Sequence, residues 1–453
     1  MPPSGRPTPA LPLLTAVVLM YALSGGALWL AGLNYEGLSG SAAAKLHPST
    51  YLLVSLFGWM LVASGIPVAY IVRLAHVRPG SLFLLLAALL MLIHIVARGA
   101  PGMAGDIDTY AGAALVVLLL ADAEARTLRR IEIAIHILMF INALMGIVEF
   151  ATNFRVFPYR FDGEVFPTDL RSTALQGHPL VNATITSFYV LALIGNGRFT
   201  LPARLRAPLI GLQFAALVTF GGRAGLVLAL VLGAGQMLLA LHRQLRAGRI
   251  PLPVAALAVF GLTLAPLLAG GLVAGGFFDR LADRFASDGG SAYARVLMFE
   301  LFDRISLADL MVGPDAAYMD SIRRVAGLEW GIENPVIRTL LYQGLVMTTL
   351  LSVAVVLYLF EIARHCAKGI ALPMLCFVLL LNTSESIGGK TTMLSKFAVA
   401  MLCLYRPERR PSAATMAGSS ALVSSSISPN PSNRFQNAQA KPLASAASRT
   451  SRM

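Results

Sequence analysis

Long apolar runs recur along the chain and are separated by short polar segments. A helix needs about 20 mainly apolar residues to cross a bilayer, and most of these runs approach or exceed that length. The pattern predicts an all-α polytopic membrane protein, because helices satisfy the backbone polar groups that lipid cannot. The twelve predicted spans cover 12–33, 50–73, 81–97, 105–122, 131–151, 178–196, 206–221, 224–241, 251–276, 335–363, 370–386 and 391–405.

The basic residues between these runs predict how the chain is threaded. Connections after even-numbered spans hold arginine clusters, as in 126–130, whereas the opposite short connections hold Lys45, Arg98, Arg223 and Lys390. By the positive-inside rule, this asymmetry predicts that both termini are cytoplasmic. Two aspartates near its start weaken the fourth span, but removing that span would reverse every later loop and destroy the asymmetry.

The composition agrees with a membrane protein and argues against other classes. The chain is 56% hydrophobic and 13% charged, whereas soluble domains are about 25% charged. The net charge of +13 is spread over many short loops rather than one face, which argues against nucleic-acid binding. The three cysteines show no metal-ligand spacing and there is no Gly-Lys-Ser/Thr phosphate loop, so we predict neither a metal nor a cofactor.

The predicted spans divide the chain into five segments. The tail is rich in Ser, Ala, Pro and Asn, has no acidic residue after 410, and is predicted to be disordered. A shorter external loop, 152–177, precedes the sixth span. The segments are a cytoplasmic N-terminal stretch (1–11), spans one to nine (12–276), a large periplasmic loop (277–334), spans ten to twelve (335–405) and a cytoplasmic tail (406–453).

Arg223 is the first candidate site residue. It lies in the sequence Phe220–Gly225 (FGGRAG), between two apolar runs with almost no loop. A cation at that depth is costly unless it is paired or reaches the interface. The glycines permit a tight turn and the close approach of a ligand. The arrangement suits an anionic, lipid-linked substrate; the alternative is an interfacial anchor that extends to lipid headgroups.

Further arginines lie in the large loop. Arg280 and Arg284 are spaced i, i+4, so both could bind phosphate oxygens, or they could pair with aspartates in 279–288. Arg295 lies in a helix-like apolar stretch and needs a partner there, either an anionic ligand or an acidic residue in 300–303.

Four other residues stand where the loops meet the spans. Glu333 could act as a general base towards a sugar hydroxyl or interact with the dipole of the next helix. Asn334 is a candidate glycan ligand or the N-cap of that helix, and Arg338 follows one turn later. His178 begins the sixth span and could orient a hydroxyl or pyrophosphate, or serve as a structural histidine. The 382–390 turn is a weaker candidate.

Four short motifs follow one another in a distinctive order. They are QGHPLVNA at 176–183, FGGRAGLVLALVL at 220–232, an external loop with the Arg295 segment and LMVGPD at 310–315, and ENPVIRTLLYQGLV at 333–346. In order, spacing and topology they resemble the O-antigen ligase and polymerase superfamily of bacterial surface polysaccharide synthesis. The resemblance covers most of residues 80–405 and is closest to the exopolysaccharide polymerase-like branch.

This resemblance implies a GT-C-like, metal-independent glycosyltransferase of the bacterial inner membrane. Its substrate would be an undecaprenyl-pyrophosphate-linked oligosaccharide, and flippase, export and chain-length proteins would be its partners. Arg223 and Arg295, with Arg280 or Arg284, would stabilise the departing pyrophosphate. Glu333 would take the proton from the acceptor hydroxyl.

One departure from the family pattern bears on the reaction. Ligases of the family have a histidine before the asparagine of the last motif, where this chain has Glu333. We therefore expect a polymerase, with a ligase as the alternative. A flippase or transporter of lipid-linked sugars is a second alternative, against which the two long external loops argue.

Overall fold

The protein is described from a computed structural model, and its described residues are mostly helical. The structure describes residues 7–37, 40–161, 164–165, 171–195, 201–246, 270, 273–274, 278–279, 282, 291–328, 331–332, 334–381 and 389–407. Arg280, Arg284, Glu333, the chain from 408 and all but three residues of the predicted ninth span lie outside the described residues. Arg295 is described as part of a helix, but its side chain is not.

The described residues up to 152 contain eight α-helices. One π-helical turn, Ile107–Ala111, joins the sixth to the seventh, so that 103–121 runs as one continuous helical segment. The helices are α1 (Ala10–Ala22), α2 (Gly25–Leu30), α3 (Pro48–Ala63), α4 (Pro67–Val77), α5 (Pro79–Arg98), α6 (Met103–Asp106), α7 (Gly112–Ala121) and α8 (Ala125–Thr152).

The second half begins with a two-stranded antiparallel hairpin, β1 (Arg160–Phe161) and β2 (Glu164–Val165). A kink at Gly344 interrupts the longest helix that follows it. The helices described after the hairpin are α9 (Pro179–Ile194), α10 (Ala203–Phe220), α11 (Arg223–Arg246), α12 (Ser291–Glu300), α13 (Leu307–Val312), α14 (Ala316–Val325), α15 (Pro335–His365), α16 (Ala371–Leu381) and α17 (Met393–Leu404).

Several of these helices can cross a membrane by length and composition. Within the described part of the chain there are five: α5, the continuous segment 103–121, α8, α11 and α15. A sixth is obtained if α3 and α4 form one bent span. The helical membrane class is thus supported, and the fourth predicted span coincides with the 103–121 segment. The full count of twelve spans stays a prediction.

Two predicted spans are interrupted in the structure. The span predicted over 50–73 is α3 and α4, which meet at an angle of 116°. Gly65 there has a φ of +74°, and Pro67 begins the second helix, so the chain turns where a single helix was expected. The span predicted over 12–33 ends as α1 at Ala22, because the Ser24 side chain caps the next helix by accepting from the Ala27 N–H.

Polar contacts at one end of the bundle join helix ends that are far apart in sequence. Arg73 at the end of α4 pairs with Asp122, which follows α7 (Nη1 to Oδ1, 2.7 Å). Glu361 near the end of α15 accepts from the Gly80 N–H at the start of α5 (2.6 Å). Arg406, after α17, contacts Glu132 near the start of α8. These contacts place the ends of the second, fourth, tenth and twelfth predicted spans together.

The opposite end of the bundle holds connections that follow odd-numbered predicted spans. The Lys390 ammonium, before α17, lies 3.4 Å from the Lys45 carbonyl, before α3. Arg98, at the end of α5, contacts the segment before α14. The charge pattern predicted that successive connections alternate between two sides. For these connections, the structure has that alternation as two opposite ends of the bundle. Which end faces the cytoplasm stays a prediction.

The interior and the outer surface of the bundle are both apolar. Residues 182–193 of α9 and the whole of α17 are buried, and the Phe377 and Phe397 rings stack there with centroids 3.9 Å apart. On α11, by contrast, Val231, Met237 and Leu238 are each more than 60% exposed. Such a surface is unfavourable in water but matches hydrocarbon, so α11 has the exterior expected of a lipid-facing helix.

Candidate functional site

A cavity of about 680 Å³ opens at the bundle end that contains Lys45 and Lys390. Its lining comes from the turn before α2, the connection to α3, the end of α5, the start of α9, the start of 103–121, the hairpin, α14, α15 and the start of α17. Among the described residues, seven cationic side chains line it, against three carboxylates. The cations are Lys45, Arg160, Arg323, Arg324, Arg338, Lys390 and Lys396, and the acids are Glu36, Asp106 and Asp320.

Two of the sequence-predicted residues, His178 and Arg338, line this cavity. His178 caps α9, because its Nδ1 accepts from the Leu180 N–H at 3.1 Å. Its ring also meets Tyr159 edge-on, with centroids 4.3 Å apart. Arg338 lies in the first turn of α15, where its N–H donates to the Asn334 carbonyl at 2.9 Å. His178 therefore has a structural role as well as a position at the cavity.

Asn334 and Arg223 are not among the residues that line the cavity. The Asn334 Oδ1 accepts from the Val336 and Ile337 N–H groups at 3.0 and 3.1 Å, which is the N-cap alternative. Arg223 begins α11 directly after the Gly221–Gly222 turn, and it is half-buried.

The glycines around Arg223 have a packing explanation. A Cβ on Gly222 would overlap the Ala183 side chain, and a Cβ on Gly225 would lie 2.7 Å from the Ser187 Oγ. Both partners belong to α9, so these glycines let α11 approach α9 closely. The approach of a ligand, which the sequence suggested, is not needed to explain them. The role of Arg223 itself stays a prediction.

Four other predicted residues are not placed relative to the cavity. Arg280, Arg284 and Glu333 lie outside the described residues. Arg295 falls within α12, as its apolar spacing predicted, but its side chain is not described. Their roles in binding and proton transfer therefore stay predictions.

Lys390 is a cavity residue that the sequence marked as a weak candidate turn. Its ammonium lies 3.8 Å from the centroid of the Tyr35 ring, a cation–π contact. Burial lowers the pKa of Lys390 to about 8, against the opposing influence of Asp108 and Glu36. A partly desolvated ammonium that faces a cavity is a suitable partner for an anionic ligand.

Asp108 holds the connection before α3 against the bundle. It accepts from the Tyr35 hydroxyl and from the His47 N–H, each at 3.1 Å. His47 in turn caps α3 and contacts the Leu23 carbonyl through Nε2 at 3.0 Å. These bonds fix the segment that carries Lys45. The sequence signal for them was Asp108, an acidic residue inside a predicted span.

Lys396 is buried inside α17, and sequence analysis did not select it. Its Nζ donates to the Gln176 Oε1 at 2.5 Å, and the Gln176 Nε2 donates to the Tyr21 carbonyl at 2.9 Å. The Tyr21 hydroxyl donates to the Lys396 carbonyl at 2.6 Å, which closes a small network. A lysine inside an apolar helix is costly and indicates a functional position.

Together these residues give the cavity a lining that favours an anionic ligand. Arg323 donates to the Leu328 carbonyl at 2.5 Å and lies 3.6 Å from Asp320, so it is partly neutralised. The remaining cations leave a surplus of positive charge in a confined space, where electrostatic attraction is stronger than in water. Among the described residues, no three His, Cys, Asp or Glu side chains are grouped as metal ligands.

Comparisons with known proteins give no family assignment. No protein-family model matches the chain, and a search of curated proteins yields no match either.

Proposed function

We propose that the protein is a membrane glycosyltransferase that polymerises undecaprenyl-pyrophosphate-linked oligosaccharide repeat units into a surface polysaccharide or exopolysaccharide. The observation that supports this most directly is the cation-lined cavity at one end of an apolar bundle. A lipid-linked pyrophosphate presents its charge at the membrane rim, and a cavity at the end of the helices lies at that level. The proposal includes twelve spans, a bacterial inner-membrane location and cytoplasmic termini.

The surplus of positive charge in the cavity is suited to a diphosphate. Arginine binds phosphate oxygens through two donors in a fixed geometry, and lysine adds a compact charge. Arg338, Arg324, Lys45 and Lys390 approach the cavity from different elements, so they can surround a ligand. Because these cations already lie at the cavity, they can stabilise negative charge as it develops on the leaving group.

The reaction moves a glycan from the pyrophosphate to a sugar hydroxyl. The hydroxyl oxygen attacks the anomeric carbon, the bond to the pyrophosphate oxygen breaks, and a base takes the hydroxyl proton. In this proposal Arg223 and Arg295, with Arg280 or Arg284, also stabilise the leaving group, as the sequence predicted. The proposal needs no nucleotide, because the donor already carries its leaving group.

Arg338→Ala tests the cavity as the donor site. Full-length protein in proteoliposomes, supplied with the source organism's lipid-linked repeat unit, should produce a ladder of longer glycans. Loss of one preorganised cation should slow that growth by about 100-fold. Arg364→Ala is the matched control, because Arg364 is exposed near the other end of the same helix and stacks on Phe360.

The product separates this proposal from its alternatives. A ligase would transfer the glycan to a lipid or protein acceptor without lengthening it. A transporter would move the labelled lipid-linked unit across the bilayer with no new glycosidic bond. If Arg338→Ala still produced an undiminished ladder, the cavity would not be the donor site.

A further inference from the structure

The carboxylate of Asp106 faces the cavity without a hydrogen-bond partner. The residue is 5% exposed, and both of its carboxylate oxygens are buried. Neither oxygen accepts a hydrogen bond from the described residues, although both belong to a group that lines the cavity. Buried carboxylate oxygens are rarely left in this state, so the observation calls for a donor from outside the chain.

Other aspartates of the same helical region are satisfied. Asp108 accepts from Tyr35 and His47, and Asp122 binds Arg73 and the Tyr70 hydroxyl. The missing donors at Asp106 are therefore a local property of the cavity. They are not a general feature of the acidic residues in this part of the bundle.

The backbone around Asp106 brings both sides of the cavity close. Its N–H donates to the Gly102 carbonyl at 2.9 Å, and a Cβ on Gly102 would lie 4.0 Å from the Gln343 Nε2. A Cβ on Gly105 would lie 3.6 Å from the Lys390 backbone nitrogen. Asp106 thus lies between Gln343 of α15 and the turn before α17.

Tyr110 lies near both Asp106 and Arg338. It lies one turn after Asp106, hydrogen-bonds Thr339 and lies within the electrostatic influence of both charged groups. Asp106 and Arg338, the cation proposed for the donor site, are therefore close to each other. A catalytic base and a leaving-group site need this proximity.

Gln343 supplies a second acceptor without a donor. Its Oε1 is buried and has no hydrogen-bond partner among the described residues, and the side chain lines the same cavity. Two acceptor groups without donors match a ligand that carries several hydroxyls. A cation is disfavoured as the occupant, because seven cationic side chains already line the cavity.

We infer that Asp106 and Gln343 form the subsite for the acceptor sugar, with Asp106 as the catalytic base. This inference rests on the proposed glycosyl transfer and gives Asp106 the role that the sequence suggested for Glu333. The acceptor hydroxyl donates to the Asp106 carboxylate, and its oxygen bonds to the anomeric carbon of the donor. The proton passes to Asp106, while undecaprenyl pyrophosphate leaves with the electron pair of the broken bond.

The experiment compares chain growth with donor binding in the full-length protein in proteoliposomes. Asp106→Asn keeps the size of the side chain but removes the base, so growth should slow by at least about 100-fold. Binding of the undecaprenyl-pyrophosphate-linked repeat unit should change by less than about threefold, because the donor site is intact. Glu124→Gln, at an exposed carboxylate outside the cavity lining, is the control.

Gln343→Leu provides a second test that does not depend on the folding of the first variant. Its KM for a labelled acceptor oligosaccharide should rise about tenfold, because the hydrogen bond between the sugar and the Gln343 side chain is lost. Binding of the donor should be retained. A folded Asp106→Asn protein that keeps more than a tenth of the growth rate overturns the inference. If that variant does not fold, an unchanged acceptor KM in Gln343→Leu overturns it.

The wild-type protein separates this inference from the proposed function. The absence of a ladder from wild type contradicts the proposed polymerase itself. A normal wild-type ladder together with an active Asp106→Asn contradicts the acceptor subsite alone.

Discussion

Replacing Arg98 should release the segment before α14 from the bundle. The Arg98 guanidinium donates from Nη1 to the Tyr342 carbonyl at 2.9 Å and from Nη2 to the Gly313 and Pro314 carbonyls at 2.8 and 2.5 Å. One side chain therefore joins α5, the kinked helix α15 and residues 313–314 of the predicted large loop. We expect Arg98→Met to keep the aliphatic contacts of the side chain while removing all three bonds.

The size of the effect follows from these bonds. A hydrogen bond from a charged donor contributes about 1.5–3 kcal/mol. The three share one half-buried guanidinium and are not additive, so we take about 3 kcal/mol for their joint loss. That value raises the population in which 307–314 is detached by about 150-fold.

Hydrogen exchange measures this population directly. The amide of Gly313, which donates to the Asp309 carbonyl at 2.6 Å, should exchange faster in Arg98→Met by a similar factor. Arg364→Met is the control, because that exposed arginine leaves 307–314 untouched. If the exchange of 307–314 in Arg98→Met stayed within about threefold of wild type, the guanidinium would not hold this segment.

Three further predictions test the same fold. The free energy of unfolding should fall by about 3 kcal/mol as pH drops from 6.5 to about 4. Burial lowers the folded-state pKa of His47 to about 4, so in this range the unfolded state binds a proton that the folded state does not. His47→Gln should flatten this dependence in pH-dependent denaturation. Gly344→Ala should accelerate exchange in 307–314, since Gly344 has a φ of +83° and packs on the Gly313 backbone, whereas Gly211→Ala, with open space around it, should not. Phe397→Ala should destabilise the bundle by about 3 kcal/mol in denaturation in detergent, because its buried ring stacks on Phe377; a change below about 1 kcal/mol would contradict this packing role.

The sequence predicted the helices well where the apolar run was long and its ends carried clear signals. Pro79 and Gly99 bound α5, and Asn334 caps α15. Interruptions were harder to predict, because Ser24 and Gly65 lie in runs whose average hydropathy is high. Such a residue bends a helix only if another group can hydrogen-bond the backbone N–H and C=O groups that the bend exposes. The hydropathy along the chain does not show whether such a group is nearby.

The candidate site was only partly predictable for a related reason. Arg338 and His178 stood at visible boundaries between loop and span, and both line the cavity. Lys396 and Asp106 lay inside apolar runs, where a single polar residue can face lipid, a partner or a ligand. Deciding among these requires the packing of α17 and of the 103–121 segment against other helices, which no local pattern specifies.

The charge pattern and the cavity both concern the bundle end that contains Lys45 and Lys390. Short connections predicted to face outward carry few cations, because cations there oppose the orientation of the spans during insertion. Lys45 and Lys390 are two of those few, and both line the cavity, while Arg98 holds an adjoining segment in place. The fold brings these two lysines together from distant connections to line one cavity. The proposed binding of an anion at this end of the bundle would explain the position of both.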